Sequence, residues 1–200
     1  MANTSASGGV LDPQAPLPPD DSELDAILQP LVVAITGLDG SLVRPRWQTV
    51  VPKMPEPTVN WCAIGVMTET PNGGPQFQYV PGIDAGTFKE HQALDIAASF
   101  YGPAAKQYAA RLRDGLRVPQ NTDTLRANDM GFVGTGTIRT APEFINQQWY
   151  RRCDLPVSLR RKITRQYAVK NLLAAAVHLI DDTGEVDSTI VIPPGSTFGA

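Results

Sequence analysis

The segment 147–169 constrains the fold more than any other part of the chain. Leu155, Val157, Leu159, Ile163, Tyr167 and Val169 hold odd positions, while Ser158, Arg160, Lys162, Thr164 and Gln166 hold even ones. A repeat of two over this length puts one set of side chains on each face of a strand and cannot form a single helical stripe. The alternation spans about 147–169 and predicts one long strand or a strand pair. Such a strand is stable only inside a sheet with a covered face, so the rest of the chain must supply neighbours and a cover.

Several segments can be the neighbours. Residues 61–69 read as a strand, 71–75 (Pro-Asn-Gly-Gly-Pro) as a turn, and 76–80 as the returning strand of a hairpin. A longer strand covers 87–101, with Phe88, Leu94, Ile96, Ala98 and Phe100 on one face and Lys89, His91, Asp95 and Ser99 on the other. Residues 131–139 read as a further strand. Residues 172–181 form a weaker one, because alanines 174–176 favour helix. A last extended piece follows Asp181, Asp182, Thr183 and Gly184.

Helices supply the cover. Leu24, Ile27, Leu28, Leu31 and Ile35 recur at spacings of three and four, which predicts a helix over 22–37. Ser22 with Asp25 resembles a capping box, Pro30 should kink or split the helix, and Gly37 should stop it. A second helix over 103–117 turns Tyr108, Leu112 and Leu116 inward, with Pro103 in its first turn. A short third helix over 121–128 takes Asn121 or Thr122 as its cap. The sum is an α+β fold: one mostly antiparallel sheet with helices packed on one face, and extended N- and C-terminal tails. The expected divisions are a flexible tail at 1–21, the α+β domain at 22–182 and an extended tail at 183–200. Between helix and strands, 38–58 carries four prolines and reads as a long irregular connection, a kind of segment that usually binds something.

Charge narrows the possible partners. The net charge is −3, so global attraction to nucleic acid is not expected. The distribution is uneven. Asp20, Asp21, Glu23 and Asp25 make the start acidic, whereas Arg151, Arg152, Arg160, Arg161, Lys162, Arg165 and Lys170 face a single acid, Asp154, within 151–170. Arg160, Arg161 and Lys162 could meet a polyanion. The preferred reading is a solvated or interface-facing strand side paired with neighbouring acids. Arg44, Arg46 and Trp47 form a compact cluster of the residue types that anchor protein–protein contacts. These residues, with Arg151, Arg152, Arg160, Arg161 and Lys162, are the candidate interface.

A search for catalytic groups finds little. Gly131, Gly134 and Gly136 lack the order and downstream helix of a nucleotide loop. His91 and His178 have no metal-like spacing with cysteine or acid. No serine sits in a nucleophile elbow. No catalytic residue, cofactor or metal is expected. Cys62 and Cys153 read as small buried side chains in a reducing compartment, with a disulfide as the alternative. No apolar run is long enough to span a bilayer, and the start lacks the features of a signal peptide.

Seven stretches in order resemble the phage neck and tail terminator family of tailed, often contractile, bacteriophages. They are Leu28-Gln-Pro-Leu-Val-Val-Ala-Ile-Thr-Gly-Leu38, Ser41-Leu-Val-Arg-Pro-Arg-Trp-Gln48, Trp61-Cys-Ala-Ile-Gly-Val66, Ser99-Phe-Tyr-Gly-Pro103, Ala110-Arg-Leu-Arg-Asp-Gly-Leu116, Pro119-Gln-Asn121 and Trp149-Tyr-Arg-Arg-Cys-Asp-Leu-Pro-Val-Ser-Leu-Arg160. The resemblance covers about 24–168. It implies a virion structural protein at the head–tail junction: a homohexameric ring that ends the tail tube and joins it to the head connector. Its implied partners are copies of itself, the tail tube protein, head–tail connector or neck proteins, the sheath where the tail is contractile, and double-stranded DNA passing through the lumen without sequence-specific binding. Assembly would take place in the host cytoplasm, with no membrane partner. Another connector or head-completion adaptor is the nearest alternative. A tube or baseplate component, an enzyme with a triad assembled across the fold, and a DNA-binding module using 151–170 are further ones.

Overall fold

A computed structural model describes residues 3, 7–80, 85–145, 147–169, 175–180 and 186–192, with backbone alone for Val80, 175–180 and 186–192. In chain order, strand β1 (Pro13–Gln14) precedes helix α1 (Ser22–Thr36), and a 3-10 turn at Gly40–Leu42 leads into β2 (Val43–Pro45). Strands β3 (Trp61–Pro71), β4 (Gln76–Val80) and β5 (Ala85–Tyr101) follow. Helix α2 (Ala105–Gly115), a 3-10 turn at Pro119–Thr122 and helix α3 (Asp123–Ala127) come next. The rest is strand: β6 (Met130–Thr135), β7 (Arg139–Thr140), β8 (Glu143–Ile145), β9 (Gln148–Tyr150), β10 (Arg152–Tyr167), β11 (Ala175–Ile180) and β12 (Val186–Ile192). The expected α+β architecture is present. The main sheet runs β1-β10-β5-β3-β2, with β4 also on β5 and β6 and β7 also on β10. The described pairings are antiparallel except β2 with β3.

The chain divides into two compact units, one of 18–75 and 89–163, the other of 1–17, 76–88 and 164–200. In the larger unit the predicted parity decides burial. Leu155, Val157 and Leu159 of β10 are buried, as are Leu94, Ile96, Ala98 and Phe100 of β5. They meet Leu24, Leu28, Leu31 and Val32 of α1, and Ala105, Ala109 and Leu112 of α2. Each fully buried Leu or Phe contributes ~1.5–3 kcal/mol over its exposed state. Cys62 and Cys153 lie in this core as free thiols, and burial pushes the Cys62 thiol well above its ordinary pKa. In the smaller unit, Pro13 of β1 sits opposite Tyr167 of β10, and Phe77 packs edge-on to Tyr79 at 5.1 Å. There β11 and β12 form their own two-stranded sheet.

Several local expectations need correction. Ser22 and Asp25 form no capping box: Asp21 is the N-cap, at φ 46 and without a side-chain cap bond. Helix α1 runs unbroken through Pro30. Both Pro30 and Ala26, whose carbonyl loses its partner there, are exposed, so water can satisfy that group. Gly37 does end the helix, in the left-handed conformation at φ 73. Pro103 precedes α2 and does not lie within it. Thr122 holds the N-cap position of α3 but makes no side-chain cap bond, since its hydroxyl donates to the Pro119 carbonyl, and Asn121 donates to the Gly115 carbonyl instead. Strand β4 pairs with β5 rather than folding back on β3, and Asn72 N–H continues the line of bonds onto the His91 carbonyl. The segment 147–169 holds two strands, of which β9 pairs with β8 and only β10 joins the main sheet. Asp181, Asp182, Thr183 and Gly184, residues 193–200, and the side chain of His178 lie outside the described residues.

Candidate functional site

One face of the sheet is covered by helices. At one end, the opposite face carries four of the eight candidate interface residues. Trp61 of β3 pairs in register with Tyr101 of β5, and the rings stack at 4.2 Å and 6°. The Arg44 guanidinium lies 5.8 Å from the Trp61 ring centre, and Arg152 lies 5.8 Å from that of Tyr101. The result is a stack of cation, indole, phenol and cation across β2, β3, β5 and β10. Each cation–π contact is worth about 0.5–1 kcal/mol or more as it loses water.

A polar chain runs beside the stack. Arg46 donates to the Ser99 hydroxyl at 2.6 Å, Ser99 donates to Asp154 at 2.6 Å, and Arg152 donates to Asp154 at 2.7 Å and also to Glu143. Burial works against the Arg152 charge, but the bond to Asp154 and the neighbouring groups more than offset it, so its pKa is raised. Burial also pushes the Tyr101 phenol up, with Arg152 opposing. Arg46 Nε and Trp61 Nε1 are buried without a hydrogen-bond partner among the described residues.

The chain reaches this face because Gly65 lets it cross. Arg46 N–H bonds to the Ile64 carbonyl at 2.7 Å, and a Cβ on Gly65 would lie 2.9 Å from Arg46 Cβ. The Gly65→Ala variant is therefore expected to lose about 1–3 kcal/mol of stability by overpacking. Its Trp47 emission should shift as the segment moves, read by urea titration and fluorescence. Beyond the crossing, Trp47, Val50 and Val51 are 67%, 81% and 83% exposed. A groove of about 210 Å³ opens among Arg44, Arg46, Val51, Pro52, Met54 and Trp61.

The hairpin of β8 and β9 carries a second exposed aromatic pair. Phe144 faces Trp149 across the hairpin with ring centres 5.1 Å apart, and both are at least 60% exposed. Neither was a candidate residue, though Trp149 lies in one of the family-like stretches. Ser99, Tyr101 and Asp154 were also missed as site residues. Their signal was their parity, opposite to that of the buried Phe100 and Leu155.

The remaining basic candidates separate. Arg161 sits at an odd position, on the core side, and is 3% exposed. It donates to Gln92, the Pro19 carbonyl, Asp20 and Glu69 at 2.5–2.8 Å, so it organises the interior. Arg160 and Lys162 are exposed beside His91 and Arg126 around a cleft of about 470 Å³, with Lys162 paired to Asp129 at 3.2 Å. Arg151 is exposed, and its carbonyl accepts Gly102 N–H. Gly131 and Gly134 lie in β6 against β10, and Gly136 N–H bonds to the Pro156 carbonyl. A Cβ on Gly134 would meet open space and one on Gly131 would lie 3.5 Å from the Arg160 side chain, so neither marks a close approach of backbones; at Gly136 it would lie 3.2 Å from the Pro156 ring. Among the described residues no three His, Cys, Asp or Glu side chains are placed to hold a metal, and no helix is long and apolar enough to cross a membrane.

A family model described as "Phage neck terminator protein" matches residues 22–188. No curated protein matches the chain.

Proposed function

The chain belongs to the phage neck terminator protein family, and on that basis we propose that it forms a ring that caps the tail tube and joins it to the head connector. The family is one of structural virion proteins, and its members meet other phage head and tail proteins. Six copies, with a lumen that passes double-stranded DNA, are the proposed assembly. The match over 22–188 carries this reading. Support comes from large apolar side chains left on the surface at Trp47, Val50, Val51, Phe144 and Trp149, because exposed aromatic clusters mark protein contacts. The proposed contacts are Arg44, Arg46, Trp47 and Arg152 on one side, with Arg151, Arg160 and Lys162 on another. Arg161 would contribute by holding the fold. A ring needs two different surfaces on each copy that close on one another. No catalytic step is assigned to the chain.

Two experiments test this. Deleting the gene from its phage should leave tail tubes of uncontrolled length beside unjoined heads in electron micrographs of the lysate; joined particles with tails of normal length would refute the role. The Phe144→Ser, Trp149→Ser double variant should keep its folding stability to within about 0.5 kcal/mol, because both side chains are mostly exposed. It should lose oligomers in mass photometry. A variant that oligomerises as the parent does would remove the hairpin from the interface.

A further inference from the structure

The outer edge of the sheet is unfinished. Strand β2 pairs with β3 only at Cys62, Ala63 and Ile64, and Arg46 N–H then takes the Ile64 carbonyl. From there to Pro71, β3 is bonded to β5 on one side, and among the described residues no strand lies on the other. At about 3.3 Å per residue, 66–71 offers roughly 20 Å of free edge. An edge of that length is a template for an added strand unless something covers it.

Here the edge borders a trough. A cleft of about 680 Å³ runs along Val66, Met67, Thr68 and Glu69. Trp47 and Thr49 line it from the connection after β2, and Asp20, Asp21, Ser22 and Asp25 line it from the start of α1. Trp47 is 67% and Met67 49% exposed, which gives an incoming strand apolar contacts. The charge is one-sided. Asp20, Asp21, Asp25 and Glu69 bring four carboxylates, and Arg161, the cation that Asp20 and Glu69 share, is buried behind those two. Burial, and then repulsion from Asp21, hold the Asp25 carboxyl above its ordinary pKa, as expected where countercharge is short.

We propose that the free edge of β3 is completed by an extended segment of a different protein that carries lysine or arginine at alternate positions. Main-chain bonds to 66–71 would give the affinity, and Asp21 and Asp25 would select the basic side chains. A second copy of this chain does not fit the charge. Its residues 1–43 and 171–200 contain no lysine or arginine, and its basic strand β10 is already built into the sheet. This inference goes beyond the ring role and does not require it.

The test uses the full chain and four labelled eight-residue peptides: alternating Val-Lys, Val-Thr and Val-Glu, and Val-Lys methylated on every second backbone nitrogen. Fluorescence anisotropy should show the Val-Lys peptide binding on the order of tenfold more tightly than Val-Thr at low salt, with the advantage shrinking as salt screens it. Methylation should remove about tenfold or more by deleting main-chain donors. The Asp21→Asn, Asp25→Asn variant, which leaves the Arg161 partners intact, should lose the preference for lysine. Amide exchange at 66–70 should slow when Val-Lys is bound. Equal binding of Val-Thr, binding without protection of 66–70, or no binding by any peptide at about 1 mM would each overturn the proposal.

Discussion

Replacing Arg161 by leucine is expected to destabilise the chain by about 2–4 kcal/mol. The guanidinium is 98% removed from solvent, since its side chain retains 2% exposure. It donates to four acceptors: Gln92 Oε1, the Pro19 carbonyl, Asp20 and Glu69. Leucine can fill much of the space but satisfies none of them. Gln92 is itself 5% exposed, so its oxygen would be stranded at roughly 1–3 kcal/mol. Asp20 and Glu69 keep 49% and 39% exposure and can rehydrate, which places the total below that of a fully buried pair. Arg161→Lys should recover only part of the loss, because one ammonium cannot reach four acceptors spread around a planar fork. Urea titrations of both variants give the comparison. A leucine variant within 0.5 kcal/mol of the parent would show that the cluster is not structural.

Gly102→Ala should be at least as damaging, at about 3 kcal/mol or more. Two penalties act together. Gly102 has φ of +100, a conformation that L residues adopt only under strain. An added Cβ would also collide with the Val59 carbonyl oxygen and come within 2.8 Å of Asn60 Cα. Neither is a side-chain tip that can swing aside. This junction ties the end of β5 to the start of α2: Gly102 N–H bonds to the Arg151 carbonyl, and Asn60 Oδ1 accepts Ala104 N–H at 2.8 Å. Gly74→Ala, with open space around the added Cβ, is the control and should stay within about 0.5 kcal/mol. Equal urea midpoints for the two alanine variants would refute the argument.

Arg161 also marks the limit of reading such a chain from its pattern. The odd-position rule that buried Leu155, Val157, Leu159 and Ile163 applies to residue 161 as well. Taken as one of three consecutive basic residues, Arg161 looked like surface. Its countercharges come from Asp20 and Glu69, which are distant in sequence and meet it only once α1 and β3 are in place. Parity was sound where burial follows from the strand alone. It could not foresee that the end of β5 is covered on both sides. Ser99 is fully buried with Arg46 and Asp154 bonded to its hydroxyl, and Leu42 and Met54 pack against the neighbouring Trp61, Ala63 and Tyr101. The β8 and β9 hairpin was missed for a simpler reason: its strands are three residues each, too short for a repeat to register. The Pro-Asn-Gly-Gly-Pro stretch reads as the turn of a hairpin, yet the strand after it joins β5 and not β3, because the sequence of such a stretch does not determine which neighbour the next strand joins. The Arg44, Arg46 and Trp47 cluster was visible as a motif, whereas its partners Tyr101 and Arg152 come from strands that are neighbours only in the folded sheet.

The central claim, a ring at the head–tail junction, is tested most directly by electron cryomicroscopy of purified phage particles at a resolution that traces chains. The account predicts closed density for six copies of this chain between the tail tube and the head connector, with Trp47 and the Phe144 and Trp149 hairpin inside contacts. Particles that lack the chain, or hold it as isolated copies away from the neck, would contradict it.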